Sequence, residues 1–468
     1  MNRRRFLQAT ALGVTALNAS RRARSAEGPR RPPNFIVIFT DDQGYGDLGC
    51  FGSKTCRTPR IDRMAAQGLK LTSFYVAAPV CTPSRAALMT GCYPFRVGLP
   101  SVLFPNSMPR GQRGGKAIGL NPDETTIAEA LETQDYATAC IGKWHLGDLP
   151  VFQPTRHGFD HYFGLPYSND MHVPFKRWAF PPLPLIRDGE VVETEPDQDR
   201  LTRRYTEDAL RFIKANRDRP FFLYLAHSMP HRPIHASEPF RKGLPKAKLA
   251  AIQGEDKRSR DFLYPAAIAE IDWSTGQILD ALAELGLDDR TLVVFTSDNG
   301  PATGSAGPLR GKKGSTFEGG MRVPCVARWP GRVPAGTTCD AVATAMDLLP
   351  TFASLAGAEV PADRVIDGRD IWPLLSGQAD ARSPHEAFFY LRGPRVAAVR
   401  SGRWKLHFRK RGRKPWALYD LEADIGEKHN LAAKHPEVVQ RLTQVARAFE
   451  ADLKAHSRPA GTAPIPKS

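Results

Sequence analysis

The chain has 468 residues, 41% hydrophobic and 24% charged, a globular balance that excludes extensive disorder and allows one large α/β domain plus a smaller one. Its formal net charge of +16 suits either a polyanionic partner or a generally basic solvated surface, but no nucleic-acid motif and no aromatic-basic platform accompanies it. Seven cysteines show neither paired C-x-x-C spacing nor the density of a disulfide scaffold; buried free thiols are the default, with Cys50 and Cys56 able to pair in an oxidising compartment.

The first 26 residues hold six arginines and no acid. Asn2-Arg3-Arg4-Arg5-Phe6-Leu7-Gln8 has the twin-arginine pattern, followed by a weakly apolar run from Ala9 to Ala19. That run is too short and too polar to span a membrane and suits a signal segment. The expectation is export of the folded protein by the twin-arginine (Tat) machinery, to the periplasm or the outside, with no stable membrane span.

Beyond it, Asn34-Phe35-Ile36-Val37-Ile38-Phe39 is a nearly continuous apolar run and predicts a buried parallel strand. It ends in Thr40-Asp41-Asp42-Gln43-Gly44, polar residues with a glycine for the turn. Further strands are predicted over 136–141, 221–226 and 291–296, and helices over 125–132 and 264–285. Strands alternating with helices imply a mostly parallel sheet covered on both faces, with ligands at the carboxyl ends of the strands. The proline-rich 180–185 and acid-rich 193–200 read as surface excursions. From about Arg382 the pattern changes to short antiparallel strands over 388–391, 396–399 and 404–408, and a closing amphipathic helix over 436–455. The expected fold is therefore α/β, a large, mostly parallel, mixed sheet sandwiched by helices, with a small C-terminal antiparallel-sheet-plus-helix subdomain. The expected limits are 1–26 for the signal, 27–380 for the α/β domain and 381–468 for the subdomain.

Two strand ends supply oxygen ligands, Asp41-Asp42 and Asp298-Asn299. Three carboxylates and an amide, without a cysteine or histidine partner, describe a hard-cation site for Ca²⁺ or Mg²⁺. Either pair alone is an ordinary solvated turn; two pairs, each after a buried strand, favour the metal. The most specific segment is Cys81-Thr82-Pro83-Ser84-Arg85-Ala86-Ala87-Leu88-Met89-Thr90-Gly91. Pro83 in a first turn and an apolar Ala87-Leu88 face explain a helix start but not the whole string.

That string resembles the signature of type I sulfatases, in which the cysteine is oxidised to formylglycine before folding completes. The resemblance continues in order along the chain: Gly142-Lys143-Trp144-His145-Leu146-Gly147, Phe163-Gly164-Leu165-Pro166-Tyr167-Ser168, Pro230-His231-Arg232-Pro233, Lys313–Gly320, and Leu418–Leu421 with Asn430-Leu431. It is closest to the arylsulfatase A and N-acetylgalactosamine-6-sulfatase branch of the alkaline phosphatase superfamily. One departure is Cys92, where family members usually carry an arginine that helps the modifying enzyme recognise its target.

The resemblance implies hydrolysis of sulfate esters, on a sulfated carbohydrate or an aryl sulfate, after modification by a formylglycine-generating enzyme. It implies Ca²⁺, in preference to Mg²⁺, on Asp41, Asp42, Asp298, Asn299 and the modified Cys81. Arg85 and Lys143 would hold the aldehyde hydrate, and His145 would take a proton during elimination. His231 and Lys313 would protonate the leaving oxygen and grip the sulfate, assisted by Ser168. Asn169, Asp170, His172 and His235 are candidates for reading the sugar. Two alternatives stay open: a phosphoester or phosphonate monoester hydrolase on the same scaffold, and a non-catalytic sulfated-glycan-binding protein if Cys81 is unmodified.

Overall fold

In the computed structural model, which describes residues 32–172, 179–250, 252, 256–409 and 415–465, an eleven-stranded mixed sheet organises the chain. Its order from one edge is Thr337–Cys339, Leu69–Tyr75, Arg322–Arg328, Thr291–Ser297, Asn34–Thr40, Phe221–Ala226, Ala137–Gly142, His161–Gly164, Pro184–Arg187 and Glu190–Thr194, with Ala343–Thr344 also pairing with Leu69–Tyr75. The five strands from Thr291–Ser297 to His161–Gly164 run parallel. The flanking pairs Thr291–Ser297/Arg322–Arg328 and His161–Gly164/Pro184–Arg187 are antiparallel.

The continuous apolar run of the central strand follows from burial on both faces. Phe35, Val37 and Phe39 enter one core, with Ala86–Met89 from helix Cys81–Thr90 and Leu348, Leu349 and Phe352 from helix Leu348–Ala356. Ile36 and Ile38 enter the other, with the helices Leu201–Ala215 and Tyr264–Glu284. Alternate residues thus serve opposite layers, so neither face can be polar. Helix Ile127–Glu132 starts at a capping box in which Thr126 Oγ1 accepts from Glu129 N (3.1 Å) and Glu129 Oε2 accepts from Thr126 N (2.8 Å).

The expected strands and helices are present, with ends shifted by at most two residues. The inner ends of the two excursions predicted as surface loops, 184–185 and 193–194, instead belong to a hairpin at the sheet edge, Pro184–Arg187 with Glu190–Thr194, and Leu183 and Leu185 are fully buried. Prolines masked it, although its turn, Asp188-Gly189 with φ of 49° and 98°, is a hairpin dipeptide visible in the sequence. Strands Leu69–Tyr75 and Arg322–Arg328 were not expected either; the latter is closed by charged ends, and Arg328 pairs with Asp288 (2.6 Å).

Asp208 fastens the hairpin to helix Leu201–Ala215, accepting from His161 Nε2 (2.6 Å), Arg187 Nη2 (3.0 Å) and Arg211 Nη2 (2.5 Å). Burial alone would raise its carboxyl, but these partners hold it near 2, below its ordinary 3.8. A depressed folded value stabilises fully above pH 4 and is lost as pH falls towards 2. Asp208→Asn is therefore expected to cost about 2 kcal/mol at pH 7, and about half as much at pH 3. Denaturant unfolding at the two pH values checks this; an equal cost at both would contradict it.

From Phe388 the chain forms a four-stranded antiparallel sheet, Phe388–Arg392, Arg395–Ser401, Trp404–Phe408 and Pro415–Asp420, with helix Pro436–Ala455 packed on it through Leu442, Ala446 and Leu453. Gly461–Ala463 then pairs with Lys116–Gly119, bringing the C-terminal tail back to the main body. All seven cysteines are free, so Cys50 and Cys56 do not pair. Among the described residues no helix is long and apolar enough to cross a membrane. The twin-arginine segment lies outside the described residues.

Candidate active site

The adjacent strands Asn34–Thr40 and Thr291–Ser297 are in register, Thr40 opposite Ser297, so their ends deliver Asp41-Asp42 and Asp298-Asn299 to one place. Asp42 N donates to Asp298 Oδ1 (3.1 Å) and Asn299 Nδ2 to Asp42 Oδ1 (2.7 Å). Asp42 adopts left-handed backbone (φ 66°), a conformation aspartate tolerates better than most residues.

Helix Cys81–Thr90, buried along its whole length, presents Cys81 at its N-terminal end, where the helix dipole favours anions. One turn later Arg85, with no exposed surface, donates through Nη2 to Asp298 Oδ2 (2.9 Å) and lies 3.4 Å from Asp41 Oδ2. Its Nη1 donates to the Lys143 carbonyl (3.0 Å) and to Tyr224 Oη (3.3 Å). Lys143 follows strand Ala137–Gly142. A Cβ at Gly142 (φ 113°) would strike the Ala226 carbonyl oxygen of the next strand, so only glycine lets the chain turn there. Lys143 Nζ donates to Asp41 Oδ2 and to Ser168 Oγ (3.1 Å).

Three carboxylates and three cations are thus interleaved, with Lys313 Nζ on Asp42 Oδ1 at 2.6 Å. Burial opposes ionisation of Asp41, but Lys143, His231 and Arg85 overcome it and hold its carboxyl well below the usual range. Asp298 is pushed up, first by burial and then by the charge of Asp41. Burial also disfavours the Lys313 ammonium, yet Asp42 outweighs it and raises the group. The Cys81 thiol is raised above its ordinary value by burial, against the pull of Lys143 and Lys313, so an unmodified Cys81 is a protonated thiol at neutral pH.

The histidines are each fixed in one orientation. His145, in left-handed backbone (φ 61°), faces the Leu103 carbonyl with Nε2 (3.0 Å); Nε2 carries the proton, leaving the Nδ1 lone pair buried without a partner among the described residues. Burial, then Lys143, lowers its proton affinity well below the ordinary value, so it is a neutral base. His231 donates through Nδ1 to Asn169 Oδ1 (2.9 Å), and its Nε2 lies 3.7 Å from Asp42 Oδ2. Asn169 Nδ2 is occupied by Gln198 Oε1 (3.1 Å) and the Pro233 carbonyl (3.2 Å), so only its oxygen can face His231.

All eleven residues singled out in the sequence therefore converge. The candidates for reading the sugar have partners of their own in the free protein. Asn169 is buried and positions His231, His172 pairs with Glu195 (2.8 Å), and His235 pairs with Asp199 (2.7 Å). The contributions of Asn169, Tyr224 and the Leu103 carbonyl were missed because their partners lie far away in sequence and no local pattern encodes them.

The donor set fits a hard divalent cation. Asp41 Oδ1 and Asn299 Oδ1 are buried oxygens without hydrogen-bond partners among the described residues, beside the carboxylates of Asp42 and Asp298. Asp41, Asp42 and His231 place ligand atoms within 4.8 Å of one another. Two buried, unpartnered oxygens amid negative charge are costly unless a cation or polar ligand satisfies them.

Known proteins match this chain along most of its length. The family model described as Sulfatase matches residues 33–358, and one described as N-sulphoglucosamine sulphohydrolase, C-terminal, matches 312–453. The chain is 41% identical to N-acetylgalactosamine-6-sulfatase of Canis lupus familiaris, over 82% of this chain and 73% of the relative. It is 38% identical to arylsulfatase A of Homo sapiens, over 91% and 89%. The solved structure of Ps i-CgsB with k-i-k-neocarrahexaose superposes with a TM-score of 0.78 at 32% identity, covering 92% of this chain and 95% of that one.

Proposed function

Because this chain belongs to the sulfatase family and is a sulfuric ester hydrolase, we propose that it cleaves sulfate esters of a carbohydrate using Ca²⁺ and a formylglycine made from Cys81. The observation that carries this reading is the setting of Cys81. It starts a buried helix and its side chain lies among the charges of Lys143, Lys313, Asp41 and Asp298, while burial keeps its thiol protonated and unfit as a nucleophile.

The all-oxygen donors Asp41, Asp42, Asp298 and Asn299 would hold the cation, and their hardness favours calcium, or magnesium second, over zinc. When bound, the cation withdraws charge from a nonbridging sulfate oxygen as a Lewis acid. Converted to formylglycine, position 81 offers the two hydroxyls of a hydrated aldehyde, one to attack sulfur and one to lose its proton so that sulfate leaves and the aldehyde returns. Arg85 and Lys143 orient that side chain and balance the carboxylates. Lys313 and Ser168 bind sulfate oxygens. His145 accepts the second hydroxyl's proton at Nδ1. His231 gives the leaving alcohol a proton from Nε2; the incoming sulfate's negative charge raises its proton affinity against the effects of burial and Lys313 that depress it in the free protein.

A carbohydrate is favoured by the basic charge and by relatives named for an N-acetylgalactosamine sulfatase or solved with a neocarrahexaose. The twin-arginine pattern supports export in the folded state. Cys92 is fully buried and its Sγ donates to the Thr90 and Val365 carbonyls (3.3 Å each), so any part it plays in recognition by a formylglycine-generating enzyme belongs to the chain before folding.

Mass spectrometry of tryptic peptide 71–85 tests the proposal on protein produced with a formylglycine-generating enzyme. A peptide about 18 Da lighter than the thiol form is expected, with turnover of aryl and sugar sulfates. An unmodified thiol in an active sulfatase would overturn it. His231→Ala is expected to slow sugar sulfates roughly 10²-fold or more, and aryl sulfates, whose leaving groups need less acid help, several-fold less. Equal losses on both substrates would remove His231 from the acid role.

A further inference from the structure

We infer that the C-terminal subdomain carries a subsite for a second anionic sugar of the substrate. It is a cleft of about 440 Å³ formed by one wall of the loop that bears Lys313 and by the outer end of the antiparallel sheet. None of the eleven residues of the active site lines it. The inference rests on the sulfate-ester reading and extends it from a single sulfated sugar to a polyanionic chain.

Three features point to this ligand. The first is an aromatic wall. Trp416, 36% exposed, is the aromatic among the large hydrophobic side chains that the described residues leave exposed. Phe317 stands perpendicular to it at 6.4 Å between centroids and rests against His407 at 4.8 Å. Rigid, half-wet aromatic rings offer a face to the C–H side of a sugar at small entropic cost.

The second is uncompensated positive charge. Arg392 and Arg395 are directly opposed at the end of a hairpin, and both are exposed on the rim with Arg409. Like charges directly opposed across strands destabilise a sheet, and among the described residues no carboxylate pairs with any of the three. The lining's carboxylate, Glu450, accepts the Val396 amide through Oε1 (2.9 Å). A sulfate or carboxylate group relieves the repulsion, and the guanidinium fork matches its geometry.

The third is position. Thr316 and Phe317 follow Lys313 by three and four residues, so the cleft wall lies within about 15 Å of that lysine by chain length alone. An oligosaccharide of a few sugars spans this distance, so one substrate chain is long enough to reach both.

Calorimetric titration of the full chain with a sulfated dextran tetrasaccharide, and with its unsulfated parent, decides the matter. The Arg392→Ala/Arg395→Ala variant and Trp416→Ala are each expected to weaken the sulfated probe about tenfold. Arg382→Ala, an exposed arginine outside the lining, should leave it unchanged, and the unsulfated parent should not bind. All these variants should hydrolyse 4-methylumbelliferyl sulfate at the wild-type rate, since that small ester does not reach the cleft. Unchanged affinity in the double-arginine variant, equal weakening by Arg382→Ala, or equal binding of the unsulfated parent overturns the subsite. Absence of aryl sulfate turnover from the wild type would count against the catalytic reading alone, and the titration would still decide the cleft.

Discussion

Cys81→Ala is expected to lower sulfate-ester hydrolysis by roughly 10⁴-fold or more, the scale seen when a nucleophile is deleted from an otherwise intact site, with the folded structure retained. The reason lies in how little position 81 contributes to packing. Its backbone begins helix Cys81–Thr90, and the helix is held from within the core by Ala86, Ala87, Leu88 and Met89. Alanine keeps that helix start and removes one sulfur atom. The carboxylates of Asp41 and Asp298 keep Arg85, and Asp41 keeps Lys143, because neither ion pair passes through Cys81. Steady-state rates on an aryl sulfate, together with an unchanged denaturant midpoint, check both halves of the expectation. Turnover within tenfold of the wild type would exclude position 81 as the nucleophile, and a large fall in stability would mean the residue is structural.

Lys405→Met is expected to destabilise the protein by about 3–5 kcal/mol, as when one partner of a buried ion pair is removed. Lys405 Nζ has no exposed surface and lies between Glu318 Oε1 (2.8 Å) and Glu427 Oε1 (3.0 Å), both fully buried. Glu318 also accepts from Tyr75 Oη and Tyr390 Oη, each at 2.5 Å. Methionine fills the space but leaves two carboxylates facing each other. Burial opposes the Glu318 charge, and Lys405, Arg322 and Arg400 overcome it, holding the carboxyl well below its ordinary 4.5. A depressed value stabilises above the ordinary one and is lost as pH falls, so the gap between wild type and variant should be widest above about pH 5 and should narrow below 4. Urea unfolding at pH 7 and pH 3 measures both. The effect should also reach the active site, because Glu427 Oε2 accepts from Glu318 N (2.8 Å) and Glu318 closes the loop that begins at Lys313. A variant as stable as wild type at pH 7 would mean that the cluster is not buried in solution.

The central strands and the ends that carry chemistry were legible in the sequence. A run such as Asn34–Phe39 has no polar face, and that is possible only between two apolar layers; Asp41-Asp42 and Asp298-Asn299 then fall where such strands stop. Hairpin Pro184–Arg187/Glu190–Thr194 was lost behind its prolines, and strand Arg322–Arg328 behind its charged ends, because a residue's polarity does not reveal a partner such as Asp288 that burial supplies.

By itself, then, the sequence determined the parallel core, the residue types at each strand end and the string Cys81–Gly91, since periodicity and motif spacing are local properties of the chain. Tertiary structure alone decided that Asn169 points its oxygen at His231, that the Leu103 carbonyl leaves the His145 Nδ1 lone pair free, and that Lys405 joins the C-terminal sheet to the Lys313 loop. These depend on hydrogen bonds between residues 42 to 87 positions apart, and such contacts exist only once burial has removed water as the competing partner.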